Sequence, residues 1–369
     1  MTRWRDPAPG ERESAERSWD VVRRAYAERL PAPRRRDRRP LVVLAAGVVV
    51  LAAALSPPGL AVWGSLRDAV TSEDHLLALP ARGRVLVNAQ DGVWVVNRDG
   101  SKRFLGGYVD ASWSPHGLYL AAARGNDLVA MEPNGHVHWK LARARPIGAP
   151  RWSYDGFRIA YFAGRALRVV NGDGTGDRLI APNSVGSGLP ALAWRPGTHD
   201  LLYTNSRSQL VLLDVDRNKA IWTRPTRATE QVAWSDDGQR VFVADARPRI
   251  LDAAGRLVAA FGTGTVLPAA FVPHSRALAL VRSARGSDTV YVYSGPRYTR
   301  RRTVFSGAGS FGGIAWSPDA RWLLVDWRAA DQWLFIRSAA VRRIAVRNIG
   351  NTFDSGPEHY ATLAGWCCP

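Results

Sequence analysis

Six stretches of this chain end an apolar segment on an aromatic side chain, reverse over serine, proline, aspartate or glycine, and resume as apolar sequence. They are ASWSPHGLYL (111–120), PRWSYDGFRIA (150–160), LAWRPGTHDLL (192–202), VAWSDDGQRVF (232–242), AAFVPHSRALA (269–279) and IAWSPDARWLL (314–324). Their anchors, Trp113, Trp152, Trp194, Trp234, Phe271 and Trp316, lie 39, 42, 40, 37 and 45 residues apart. A second column keeps the same phase: VWVVNRDG (93–100), LVAMEPNG (128–135), LRVVNGDG (167–174), LVLLDVD (210–216) and ILDAAG (250–255). Each unit therefore holds several short strands joined by turns, and one such unit cannot cover its own apolar faces.

A nearly constant period of this size, with several strands per unit, predicts an all-β protein built as a β-propeller. The aromatic then closes the innermost strand of each blade and packs between neighbouring sheets, and the turn residues reverse the chain. Residues 84–105 supply the later strands of a unit with no aromatic inner strand in front of it. Either Leu76–Leu79 fills that place or the chain end does, because TLAGW (362–366) repeats the inner-strand pattern 50 residues after Trp316. In the second case Trp366 is a seventh anchor, and pairing of the two chain ends removes the open sheet edges. The expectation is a seven-bladed propeller, with six blades as the alternative.

The pattern W-S-P/D-D-G, an apolar strand, and then V-V-N-x-D-G-T-G resembles the TolB-like propeller repeats of bacterial envelope proteins, and WD-repeat propellers more distantly. Trp152, Ser153, Asp155 and Gly156 carry the turn in full, as do Trp234, Ser235, Asp237 and Gly238. The Trp-Asp dipeptide of true WD-repeat blades is missing from residues 76–366, the span that the resemblance covers. The resemblance implies binding of proteins, peptides or envelope lipoproteins through the faces and central channel. It brings no shared catalytic residue.

Ahead of the repeats, Glu11 to Leu30 contains no proline or glycine, and Ala15, Trp19, Val22, Tyr26 and Leu30 recur on one helical face. Glu13–Arg17 and Asp20–Arg24 support that helix at i,i+4, and Pro31 and Pro33 end it. One amphipathic helix cannot bury its own stripe. It docks on a partner, lies on a membrane or stays a frayed tether; Trp19, Val22, Tyr26 and Leu30 are the partner-docking candidates.

Five arginines follow between 34 and 39, and from Pro40 through Leu66 no residue ionises. As a helix Leu41–Leu55 is only about 22 Å long, short of the roughly 30 Å hydrocarbon core. Leu60–Trp63, beyond Pro57-Pro58-Gly59, extends the run to 41–63. The arginine flank and the near-neutral far side predict a single-pass anchor with a cytoplasmic N-terminus, in a bacterial-type cell membrane. A buried soluble helix and a cleaved signal peptide near Ala52–Ala54 are the rival readings. The polar region ahead of the core, from Met1 to Arg39, is far longer than the n-region of a signal peptide and argues against that rival. The expected organisation is a cytoplasmic basic arm (1–40) with a helix at 11–30, an anchor (41–63), a linker (64–75) and an extracytoplasmic propeller (76–369).

A net charge of +18 raises the question of nucleic acid. Residues 1–40 account for +5, and the +13 of the remainder is mostly single arginines scattered through strand-like segments. Nucleic-acid binding needs a concentrated basic stripe with stacking aromatics, so no such partner is expected.

Other constellations read as structure. Asn171–Asp177 places oxygens at alternate positions like a calcium loop, but Pro182 stands where a glutamate is needed, so it reads as a hairpin turn. His136 and His138 share a strand face with Lys140 and lack a third ligand, so no metal or cofactor is expected. Gly307–Gly313 leads into a strand, not a helix N-terminus, and reads as a flexible inter-blade loop. Cys367 and Cys368 are neighbours, which excludes a disulfide framework; such a pair can bond to itself or to another chain, but it reads first as a terminal pair that merely follows the last strand. No G-x-S-x-G elbow, phosphate loop or dinucleotide fingerprint occurs.

The expected function is a membrane-tethered extracytoplasmic binding module for a protein, peptide or envelope component, not an enzyme. The alternative is a transmembrane signalling regulator whose 11–30 helix holds a cytoplasmic partner, and a propeller enzyme stands third.

Overall fold

Seven four-stranded antiparallel sheets account for the described residues, which in this computed structural model are 78–184, 191–227, 229–262, 268–338, 342–353 and 360–368. The basic arm, Trp19, Val22, Tyr26 and Leu30 of the expected helix, the apolar segment 41–63 and the linker lie outside them. Among the described residues, no helix is long and apolar enough to cross a membrane.

Blade 1 holds β1 (Arg84–Asn88), β2 (Val93–Val96) and β3 (Lys102–Gly106). Blade 2 is β4 (Asp110–Trp113), β5 (Leu120–Arg124), β6 (Asp127–Met131) and β7 (Val137–Ala142). Blade 3 is β8 (Ile147–Trp152), β9 (Arg158–Ala163), β10 (Ala166–Asn171) and β11 (Arg178–Ala181). Blade 4 is β12 (Leu192–Trp194), β13 (Asp200–Thr204), β14 (Gln209–Asp214) and β15 (Lys219–Pro225). Blade 5 is β16 (Gln231–Trp234), β17 (Arg240–Ala244), β18 (Arg249–Asp252) and β19 (Leu257–Ala260). Blade 6 is β20 (Ala269–Phe271), β21 (Leu278–Ala284), β22 (Ser287–Ser294) and β23 (Arg300–Ala308). Blade 7 is β24 (Gly313–Trp316), β25 (Trp322–Trp327), β26 (Gln332–Arg337) and β27 (Arg343–Arg347). The last strand, β28 (Thr362–Cys367), returns to blade 1 as its innermost strand.

This closure decides the blade count. Val85 faces Trp366, Leu86 faces Gly365 and Val87 faces Leu363 across the β1–β28 pair. The chain end therefore takes the inner place of blade 1, Leu79 lies outside it, and the six-blade alternative is wrong. Seven is the number of described sheets.

The core lies between blades. Each of seven apolar clusters draws on two adjacent sheets, so there is one per blade junction. Alternation along the middle strands explains why. Trp322 and Leu324 of β25 enter the cluster shared with blade 1, and Leu323 and Val325 enter the one shared with blade 6. Successive side chains of a strand point to opposite faces, and both faces are covered, so the strand reads as a continuous apolar run. In six of the seven blades the outermost strand pair carries a bulge, which adds the twist a radial sheet needs.

Ser-x-Asp closes the inner turn by the same bonds in three blades. The Ser153 hydroxyl donates to Asp155 and accepts the Arg158 amide at 2.9 Å, while Asp155 accepts the Phe157 amide at 3.0 Å. Ser235–Asp237 and Ser317–Asp319 repeat the arrangement. The recurring turn is thus a backbone lock.

Removing residues 360–369 deletes β28 and with it Trp366, whose burial alone is worth about 3–5 kcal/mol. The expected outcome is loss of the single cooperative melting transition of residues 78–368, followed by circular dichroism. Mere fraying with an unchanged midpoint would contradict ring closure.

Candidate interaction site

The aromatic anchors belong to the frame. Trp194, Trp234, Phe271, Trp316 and Trp366 are buried at or beside the ends of the inner strands, and Trp113 and Trp152 are half-buried there. The Trp194 indole N–H donates to the Arg151 carbonyl of the preceding blade at 2.9 Å. Two further tryptophans, outside the repeat columns, do similar work at the rim. Trp139 of β7 donates to the Gly172 carbonyl at 2.8 Å and Trp222 of β15 to the Ala253 carbonyl at 3.0 Å, each reaching the next blade.

The 171–177 segment is a hairpin turn. The Gly174 amide donates to the Asn171 carbonyl, and the Asp173 carboxylate accepts from the amide and hydroxyl of Thr175. Asp177 is consumed by Arg143, Arg168 and Tyr161. His138 pairs with Glu132 at 2.9 Å and stacks edge-on against His136 and Tyr119. Among the described residues, no group of three or more histidine, cysteine or acidic side chains could hold a metal. Cys367 and Cys368 are bonded to each other, beside Ser114 and Pro115 of blade 2.

The glycine-rich segment is a correction to the expected flexible loop. Gly307 belongs to β23, and a Cβ there would stand 2.7 Å from the Trp327 ring. At Gly312 it would stand 2.5 Å from a carboxylate oxygen of Asp326. These glycines are present for close packing. Asp326 itself is fully buried and neither of its side-chain oxygens has a hydrogen-bond partner. Burial pushes its carboxyl up to about 8, with nearby Arg328 lowering it and Asp331 raising it.

Two faces remain for a ligand. On the face of the Ser-x-Asp turns, polar groups tie blades together. His199 sets one ring nitrogen 2.7 Å from Asp155 of blade 3 and the other 2.7 Å from Asp216 of its own blade, and Arg158 of blade 3 reaches Asp216 at 2.6 Å. Burial pushes both carboxyls up, but hydrogen bonds and opposite charge outweigh it and hold them below the ordinary range. Arg195 likewise donates to the Gly238 carbonyl of blade 5.

On the opposite face, the exit of β15 and the turn between β17 and β18 bound a cleft of about 270 Å³, lined by Pro225, Thr226, Arg227, Asp245, Arg247 and Arg249, among others. Asp245 is held inside it, accepting from the Thr226 hydroxyl at 2.7 Å and from Arg249 at 2.6 Å, and Arg249 also reaches the Pro225 carbonyl. That pair is neutral. Arg227 and Arg247 are exposed and make no ion pair among the described residues. The cleft therefore presents positive charge beside a rigid, hydrogen-bonded wall, with Glu230 three residues from Arg227 as a nearby carboxylate. Sequence reading missed it because its two sides come from different blades.

No family model and no curated protein matches this sequence. Solved structures do. A chain of a mitotic checkpoint complex superposes with a TM-score of 0.58 at 17% identity, over 73% of this chain and 93% of that one. The Cps50 (Swd1) β-propeller domain of Myceliophteria thermophila gives 0.54 at 12% identity, over 72% and 89%. Hydrazine synthase of Kuenenia stuttgartiensis gives 0.50 at 14%, over 62% and 75%. At such identities the likeness establishes the fold, a WD-repeat-like seven-bladed β-propeller, and nothing finer.

An acid whose folded pKa is raised keeps its proton when the unfolded chain has lost it, so stability falls as pH rises between the two values. For Asp326 that window runs from about 4 to about 8. Asp326→Asn removes the titration. Urea unfolding across that range should show a flatter pH dependence in the variant, and an identical slope in both proteins would refute the assignment.

Proposed function

We propose that this chain is a membrane-tethered, extracytoplasmic propeller of the envelope-protein kind that binds a protein or peptide, and that it is not an enzyme. The observation that carries the reading is how the ring spends its polar groups. The anchors and turns that recur in sequence are consumed by the fold, and the inner-strand polar groups Arg151 and Asp110 pair with each other at 3.2 Å. Gln231 brackets the backbone of Ala269 with both ends of its amide. The unpaired cations Arg227 and Arg247 stand instead at a surface cleft, suited to an acidic or carboxyl-bearing segment of a partner.

Two further considerations support it. One neighbour in shape is a chain of a complex named for the mitotic checkpoint, so a ring of this form serves there within a protein assembly. The arginines at 34–39 and the uncharged run from Pro40 to Leu66 support a tether with the propeller outside.

Reporter fusions after residue 75 should report an extracytoplasmic location, and a cytoplasmic signal would remove the topology. A photoreactive residue at Arg247 should capture a discrete protein adduct in cells, and one at Asn134 on the opposite face should not. Combined Arg227→Glu and Arg247→Glu reversal should weaken that capture at least about tenfold, as like charges facing across an interface do. Capture from Asn134 alone would place the binding face on the other side.

A further inference from the structure

The outer strands of blades 6 and 7 carry charge in a way the other blades do not. Residues 289–318 and 332–353 hold eight arginines and no aspartate or glutamate. Arg300, Arg301 and Arg302 lie on β23, and Arg342, Arg343 and Arg347 lie on or beside β27; all six are exposed. Among the described residues, none of these six guanidinium groups makes an ion pair or a hydrogen bond. Arg343 of β27 instead lies over the Phe305 ring of β23, 5.2 Å from its centroid, so the two strands form one continuous face. Arg301 lies 4.8 Å over Tyr291.

Edge strands commonly carry a charge that blocks pairing with other chains, and that need does not explain this face. The outer strands of the other blades carry one or two cations, as β27 does, and β19 none, whereas β23 carries three in a row and no acid accompanies them on either β23 or β27. Several of the cations on the other blades are also engaged. Lys140 pairs with Asp127 at 2.8 Å, Lys102 donates to the Thr352 carbonyl, Arg178 to Val215 and Arg224 to Gly255.

The shape of the face points to its partner. The arginines of β23 are its first three residues, and β27 carries Arg343 and Arg347 at its two ends, so the cations spread over the outer strands of two neighbouring blades. A nucleic-acid strand would need exposed aromatic faces for stacking, whereas Tyr291 and Phe305 are half-buried and covered by arginines. A stereospecific acidic protein is best held by guanidinium groups fixed by hydrogen bonds, and among the described residues these six have none, Arg301 and Arg343 alone resting on a ring. Long, unpaired cations on an extended side match a diffuse layer of phosphate headgroups.

We infer that the outer face of blades 6 and 7 rests on a membrane surface rich in anionic lipid. This stands independently of the Arg227–Arg247 cleft, and it holds whether or not residues 41–63 cross the same membrane.

The test uses the full-length chain with vesicles of phosphatidylcholine alone, or of phosphatidylcholine with about one third phosphatidylglycerol, a composition giving a negative surface potential. Amide exchange over β23 and β27 is followed, with β7 and β15 as internal references. Any membrane insertion is common to both vesicles, so the difference isolates the basic face. Exchange should slow on β23 and β27 in the anionic vesicles alone, and added salt should reverse it. Each arginine at such a surface contributes about fivefold, so Arg300→Gln, Arg302→Gln and Arg343→Gln together should reduce the surface-held population about a hundredfold. An unchanged melting temperature and unchanged exchange of β13 confirm that the triple variant is folded. Equal exchange in the two vesicle types overturns the inference. So does slowing by soluble polyglutamate or duplex DNA without slowing by anionic vesicles, which would reassign the face to acidic protein or to nucleic acid.

Discussion

Everything else in this ring depends on the pairing of its last strand with its first. Seven blades each expose two apolar faces, and each face is covered only by a neighbour. In a linear stack the terminal units would need polar caps. Here Val85, Val87 and Trp366 join Trp322, Leu324 and Phe335 in one buried cluster, so the junction between blade 7 and blade 1 is built like the other six. A contact between the two ends of the propeller sequence thus completes a structure otherwise made of neighbours, and loop-closure entropy is the opposing cost.

Closure also sorts the chemistry. Middle strands buried on both sides leave no place for an unpaired polar group, and Asp326 shows what an exception requires, a carboxyl raised until it holds its proton. Polar residues otherwise find partners on the inner strands, as Arg151, Asp110 and Gln231 do, or lie in the turns and outer strands. Those in the Ser-x-Asp turns and the His199 bridge are committed to holding blades together. Loops from separate blades and the outermost strands are what the fold leaves free, and the unpaired arginines stand there.

The frame was legible because it is local and repeated. An aromatic followed by Ser-x-Asp is one strand and one turn, and its recurrence at a nearly constant spacing says that a neighbour covers it. Even closure was visible, since Leu363 to Trp366 copies the inner-strand pattern. Composition was misleading for Gly307–Gly312, where glycine reflects contact with Trp327 and Asp326, not mobility. The Arg227–Arg247 cleft had no signal in one dimension, because its residues lie in loops of two blades and Asp245 neutralises only one of three arginines. The basic outer face did have one. Arg302 and Arg347 lie 45 residues apart, the spacing of the Phe271 and Trp316 anchors, so reading charge in the repeat's phase instead of along the chain would have stacked the two clusters.

Native-state hydrogen exchange at the closing pair tests the central claim most directly. If β1 and β28 are as integral as any other strands, the amides of Leu86, Val87 and Leu363 will exchange only through global unfolding, with the same opening free energy as Leu202 and Phe242 in the middle strands of blades 4 and 5. An opening free energy well below that of Leu202 and Phe242, with the middle strands still protected, would show that the ring stands without its closure and would contradict the account.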